Sequence, residues 1–141
     1  MSLIVKTVTR LTVGLIVLFG IYIVLHGHLS PGGGFAGGVI IALAFVHFML
    51  AFGKDAALSK ISRNLASNLE SLGALMFLAI ALAGFLGGSF FLNILSKGAP
   101  FKLFSAGTIP LSNAAISLKV GVGLLAIFLA LVILEKSGKE E

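Results

Sequence analysis

Four long apolar runs make up most of this 141-residue chain, and they constrain its fold more than any other feature. The runs cover about residues 8–25, 35–52, 69–95 and 113–134. A helix needs about 20 apolar residues to cross the hydrocarbon core of a bilayer. With 58% hydrophobic and 11% charged residues, the chain has too little polar surface for a soluble domain. We therefore predict an all-α integral membrane protein, one domain over residues 1–141 with four transmembrane helices.

The lysines and arginines predict how these helices are oriented. Four spans place both termini and the loop 54–68 on one side of the membrane, and that side carries seven cations: Lys6, Arg10, Lys54, Lys60, Arg63, Lys136 and Lys139. The opposite side carries Lys97 and Lys102. Short cytoplasmic loops are enriched in lysine and arginine, so we predict that both termini are cytoplasmic. The uninterrupted apolar part of the first run, residues 11–25, is short by itself, so its helix is expected to begin earlier, within residues 3–9.

A glycine-rich segment separates the first two runs, with the sequence His-Gly-His-Leu-Ser-Pro-Gly-Gly-Gly-Phe-Ala-Gly-Gly over residues 26–38. Pro31 lacks a backbone donor, and three consecutive glycines disfavour a helix, so the chain must break here. Residues 32–37 also match the dinucleotide pattern G-x-G-x-x-G, but that motif requires a preceding strand. We interpret the glycines as a helix end, a sharp turn and a point of close approach for a neighbouring backbone.

Small residues in the third run predict where its helix meets a neighbour. The residues Ala79, Ala83 and Gly87 recur every four positions, as do Gly84 and Gly88. Such spacing lets the backbones of two membrane helices approach closely. We therefore expect this end of the third helix to pack against another helix.

Three ionisable residues lie within the apolar runs: His47, Glu70 and Lys119. A charge near the centre of a span costs roughly 2.5–3.5 kcal/mol on insertion scales, so each residue suggests a function. Glu70 is either an interfacial acid or, given the small residues on its helical face, buried in a subunit contact or an ion path. His47 is either hydrogen-bonded within the bundle or part of a proton relay.

Lys119 is expected about six residues into the last span, roughly 9 Å below the outer surface. It either extends its ammonium group outward or meets an acid or a water-filled cavity that a partner contributes. With Glu70 placed near the cytoplasmic side, the two groups would lie about 15 Å apart or more, beyond the reach of a lysine side chain. The sequence therefore predicts that the counter-charge of Lys119 comes from a different subunit.

Catalytic and cofactor chemistry finds little support in the residues. The chain has no cysteine, which excludes thiol catalysis and cysteine-held metals. His26 and His28 are two apart with no carboxylate nearby, so they lack the further ligands that zinc needs. No nucleophile–base–acid set or phosphate loop can be assembled. We expect a chain without catalytic residues, metal site or resident cofactor.

Residues 27–38 resemble the signature of the MnhB family, which supplies one of the small subunits of Mrp-type multisubunit Na⁺/H⁺ antiporters. Residues 100–111 and 117–121 look like the same family's outer loop and fourth span, so the resemblance covers nearly the whole chain. Carried onto this sequence, the motif residues are His28, Pro31, Gly32, Gly33, Gly34, Phe35 and Gly37.

This resemblance implies a small subunit in the plasma membrane of a prokaryote that works in a hetero-oligomer, with Na⁺ and H⁺ as transported ions. The partners would be other antiporter subunits, in a free-standing antiporter or in the related module of an archaeal membrane-bound hydrogenase or sulfane-reductase complex. Two alternatives remain open from the residues. The chain could be a structural adaptor that touches no ion, or a small exporter that forms homodimers.

Overall fold

Four long helices dominate the computed structural model, which describes residues 2–59, 61–95, 98–103 and 105–137. The helices are α1 (Leu3–Leu25), α2 (Gly33–Phe52), α4 (Arg63–Ala83) and α5 (Ile109–Ser137), with a short helix α3 (Lys54–Leu58) between α2 and α4. A 3-10 turn over Gly84–Gly87 extends α4. Four segments are long and apolar enough to cross a membrane, which confirms the predicted four-helix membrane fold.

The helix bounds differ from the predicted spans where polar residues lie inside a helix. The helix α1 begins at Leu3, within the expected range, and the hydroxyl of Ser2 accepts a hydrogen bond from Val5 N. Helix α4 begins six residues before the predicted third span, because Ser62 caps it in the same way. Helix α5 begins four residues early, with Pro110 in its first turn, where proline is tolerated.

The long helices form a row in the order α1, α2, α5, α4 rather than a closed bundle. Within the described residues, α4 packs against α5 and makes no comparable contact with α1 or α2. Along the helix axes, we call the side of the row at which residues 26–34 lie the corner side, and the opposite side, where α1 begins and α2 ends, the terminal side. On the terminal side, Lys6 and Arg10 of α1 lie 6.0 and 5.4 Å from the ring of Phe52 at the end of α2. Such cation–π contacts anchor the two helix ends to each other.

Glycines let neighbouring backbones in the row approach closely. A Cβ at Gly20 of α1 would lie 3.2 Å from Gly37 O of α2. At the next residue, a Cβ at Gly38 would lie 2.8 Å from Ser117 O and 3.2 Å from Gly121 N of α5. Adjacent glycines of α2 therefore face different neighbours, because successive helical residues point about 100° apart. Close packing of this kind is a main source of the stability of helix pairs in membranes, because burial of apolar side chains away from lipid contributes little.

Within this chain, Gly84 and Gly87 at the end of α4 do not have the helix-packing role expected of them. Gly84 lies against the backbone of Phe91 and Leu92, and Gly87 lies against the Leu92 side chain. The chain turns at Gly88, which has φ +107°, and folds back so that Phe91 N donates to Ala81 O at 3.2 Å. Gly84 and Gly87 therefore accommodate the chain's own return loop and not another of its described helices.

The return loop is held to the start of α5 by one side chain. Asn93 Nδ2 donates to Ala106 O at 2.9 Å, and Thr108 N donates to Asn93 Oδ1 at 3.0 Å. Gly107, between these two partners, has φ +63° and no room for a Cβ beside the amide. Of the cations used to predict orientation, Lys60, Lys97 and Lys139 lie outside the described residues.

The α2–α5 crossing predicts a sharp sensitivity at Gly38. Replacing Gly38 with valine would push branched carbons into the α5 backbone, and we expect a loss of about 1–3 kcal/mol in the free energy of unfolding. Gly14→Val is the matched control, since nothing lies within 4 Å of a Cβ at Gly14. Thermal unfolding of the purified complex measures both. Equal midpoints for the two variants would show that the crossing is not tight.

Candidate functional site

The segment between α1 and α2 forms a tight corner, defined here as residues 26–34. Leu29 N and Ser30 N both donate to His26 O, at 2.8 and 2.9 Å, and close a turn at the end of α1. Gly32 and Gly33 then have φ values of +141° and +77°, which only glycine adopts without strain. The two residues reverse the chain into α2.

The corner packs directly on the first turns of α5 at Asn113. A Cβ at Gly34 would collide with the backbone of Asn113, and one at Gly27 would lie 2.7 Å from Asn113 Nδ2. A Cβ at Gly33 would lie 3.4 Å from Asn113 Oδ1. The corner glycines are therefore required both for backbone conformation and for close approach. Phe35, the next residue, is 64% exposed.

The histidines of the corner have separate surroundings. His28 Nε2 lies 3.2 Å from Lys102 O and connects the corner to the loop before α5. His26 stacks on Tyr22, with ring centroids 4.2 Å apart. The buried atoms His28 Nδ1 and Asn113 Nδ2 have no hydrogen-bond partner among the described residues. Among all the described residues, no group of three or more metal-ligating side chains is found.

The charges of Glu70 and Lys119 form an ion pair between α4 and α5. Lys119 Nζ donates to Glu70 Oε1 at 3.0 Å. Gly73 makes the pair geometrically possible, because a Cβ there would lie 2.8 Å from Lys119 N and hold the helices apart. Gly123 of α5 also lies next to the carboxylate, since a Cβ there would be 3.6 Å from Glu70 Oε1. The side chains are 38% exposed for Glu70 and 50% for Lys119, so the pair opens to one flank of the row.

The prediction that a different subunit supplies the counter-charge of Lys119 is wrong. Glu70 lies seven residues, about 10 Å, beyond the start of α4, and Lys119 lies ten residues, about 15 Å, beyond the start of α5. Both helices begin earlier than expected, so both charges lie deeper and at the same level. His47 takes no part in the pair: it lies on α2, nine residues or about 13 Å beyond the Gly38 crossing.

A signal for this pairing was present in the sequence but was not used. Glu70 and Lys119 each lie on a stripe of small residues, and each stripe indicated contact with protein. Two stripes of small residues in one chain, one with an acid and one with a base, favour packing of the two helices so that Glu70 and Lys119 pair. Asn113 was missed because it lies at a span boundary, where an amide is unremarkable.

Comparison with known proteins identifies the family. The model of the domain related to the MnhB subunit of Na⁺/H⁺ antiporters matches residues 4–126. This chain belongs to the MnhB family. The corresponding subunit of the Bacillus subtilis Na⁺/H⁺ antiporter is 32% identical over 140 residues, which cover 99% of this chain and 95% of that protein. The resemblance inferred from the corner motif is confirmed.

Two longer relatives extend the family to archaea. An uncharacterised protein of Methanocaldococcus jannaschii is 42% identical over 138 residues, which cover 90% of this chain and 52% of that protein. A chain of the membrane-bound sulfane sulfur reductase, an archaeal respiratory membrane complex, superimposes with a TM-score of 0.78 at 36% identity. The match covers 90% of this chain and 56% of the reductase chain. This chain thus spans about half the length of both relatives.

The contact between Gly34 and Asn113 predicts that even one added methyl group will disrupt the corner. Gly34→Ala places its Cβ inside the α5 backbone, and we expect reduced assembly of the MnhB-family chain with its partners, although the chain still inserts. Gly14→Ala, at an open helical position, is the control. Native gel electrophoresis of membrane extracts measures assembly. Wild-type assembly of Gly34→Ala would contradict the expectation.

The ion pair predicts a non-additive response to neutralisation. Glu70→Gln or Lys119→Met alone leaves one charge unpaired within the membrane, and we expect each to lower the free energy of unfolding by more than about 1 kcal/mol. The double variant removes both charges and should regain most of that loss. Thermal unfolding of the purified complex gives the coupling energy. Simple addition of the two losses would indicate that the groups do not interact in the complex.

Proposed function

We propose that this MnhB-family chain is a non-catalytic subunit of a hetero-oligomeric Na⁺/H⁺ antiporter module, and that its Glu70–Lys119 pair borders the ion path. The observation that carries the proposal is the position of the pair. Ionisable residues within spans are rare and are typically found at ion pathways or facing other protein. The pair of this chain is half-exposed on the flank of an open row, so a partner or water must cover it in the membrane.

Na⁺ and H⁺ are the ions that this proposal assigns to the module, with no resident cofactor in this chain. The Bacillus relative supports the antiporter assignment through its name, and the reductase supports membership in a larger respiratory assembly. Either setting uses the same four spans. Both termini are placed in the cytoplasm, as the distribution of cations predicts.

A structural adaptor is the competing function, and Glu70→Gln distinguishes the two. We expect this variant to lower the rate of Na⁺-driven proton exchange by about tenfold or more, because it removes the carboxylate that would attract the cation. Glu70→Asp, which keeps the charge, should retain more activity. Exchange is measured by a pH-sensitive dye in inverted vesicles and is divided by the amount of assembled complex. If exchange per complex is unchanged in Glu70→Gln, the chain is an adaptor.

A further inference from the structure

The exposed surface of α4 changes character at the depth of the ion pair. In its first two turns α4 carries four exposed polar side chains, which we call the polar face: Asn64, Ser67, Asn68 and Ser71. At 100° per residue, these residues and Glu70 fall within an arc of about 160°. The same surface continues beyond the pair with the exposed leucines Leu75, Leu78 and Leu82. The face is therefore polar up to the pair and apolar beyond it.

The polar face leads to charges that lie inside the apolar segments. Lys119 lies ten residues beyond the start of α5 at Ile109, and Glu70 lies six residues beyond the start of the apolar segment Asn64–Gly87. At 1.5 Å per residue these separations are about 15 and 9 Å, so neither charge lies at the end of its segment. Glu70 Oε1 accepts a hydrogen bond from Lys119 Nζ at 3.0 Å. The polar face thus connects the terminal side of the row to the ion pair.

Hydrocarbon cannot cover such a surface. Within the described residues, one hydrogen bond joins the ion pair, and the Ser71 hydroxyl donates to Ser67 O at 2.9 Å, whereas Asn64 and Asn68 are exposed. Polar groups at membrane depth persist where they line a water-filled cavity or contact polar protein. Hydroxyl and amide oxygens are also ligands that hard cations accept in place of water. Short, uncharged oxygen-bearing side chains that lead to a carboxylate favour hydrated cations over dry packing.

We propose that the polar face of α4 lines an aqueous half-channel that opens on the terminal side and ends at the Glu70–Lys119 pair. Its occupants are water and hydrated Na⁺, and the opposite wall comes from another subunit. The Lys119 ammonium closes the inner end of the half-channel, because it is paired with the Glu70 carboxylate and its positive charge repels cations that would move past it. The exposed leucines Leu75, Leu78 and Leu82, which lie between the pair and the corner side, keep water from passing further along this face. The identity of the ion rests on the proposed function, whereas the presence of water does not.

Single cysteines in the assembled complex test the half-channel. The chain contains no cysteine, so the complex with the unsubstituted chain measures the background from other subunits. The variants are Ser67→Cys and Ser71→Cys on the polar face, with Leu78→Cys as the matched control on the same surface beyond the pair. A membrane-impermeant methanethiosulfonate ammonium reagent is added to sealed vesicles of each orientation. We expect Ser67→Cys and Ser71→Cys to react from the α4 N-terminal side, with Leu78→Cys about tenfold slower, because the reactive thiolate needs water.

The outcomes separate this proposal from the proposed function. Should Ser71→Cys react as slowly as Leu78→Cys in a complex that exchanges ions, the face is dry and the half-channel is wrong, while dependence of exchange on Glu70 can still stand. Fast labelling of Ser71→Cys with exchange unaffected by Glu70→Gln supports the half-channel and overturns the transport role of the pair. Hydroxyl-radical footprinting of residues 64–71 in the unsubstituted complex detects the same water if a variant does not assemble, and protection there also overturns the half-channel.

Discussion

Helices α2 and α4 are held against α5 by close approach of their backbones at glycines. Gly34 and Gly38 bring the backbone of α2 to Asn113 and Ser117, and Gly73 brings α4 to Lys119. Inside a bilayer, lipid tails are as apolar as leucine, so helices associate through tight packing and interhelical hydrogen bonds more than through burial of apolar area. A side chain at any of these glycines would separate two helices by ångströms. The ion pair is one result, because Lys119 reaches Glu70 only while α4 lies directly on α5.

This dependence explains the depth at which two charges are tolerated. An isolated charge near the centre of a span is costly, and a partner 3.0 Å away removes much of that cost. The pair remains half-exposed, so the compensation within the chain is incomplete. The remaining polar surface must be satisfied by water or a neighbouring subunit, which agrees with membership in a family of antiporter subunits.

Much of the fold follows from composition and local pattern. Apolar length predicted four spans, and the glycines after Pro31 predicted the break between the first two, because these features depend on the residues near them alone. The order of helices in the row does not follow, since periodicity identifies a packing face but not its partner. The distance between Glu70 and Lys119 was overestimated for a related reason. Hydropathy ends a span at the first polar residues, whereas Ser62 caps a helix that carries Asn64, Ser67 and Asn68 inside it.

The row of helices also has a mechanical consequence. On the corner side, α1, α2 and α5 are joined through residues 26–34, Asn113 and the hydrogen bond from His28 to Lys102 O, so these three helices form one contiguous block. Helix α4 is attached to that block through the crossing at Gly73, the ion pair and its own return loop. A rotation of α4 about Gly73 therefore disturbs a single helix interface, whereas a displacement of α2 breaks two. Among the described helices, the interface between α4 and α5 contains the Glu70–Lys119 pair, so breaking that pair would remove one of the contacts that hold α4 to the other three helices.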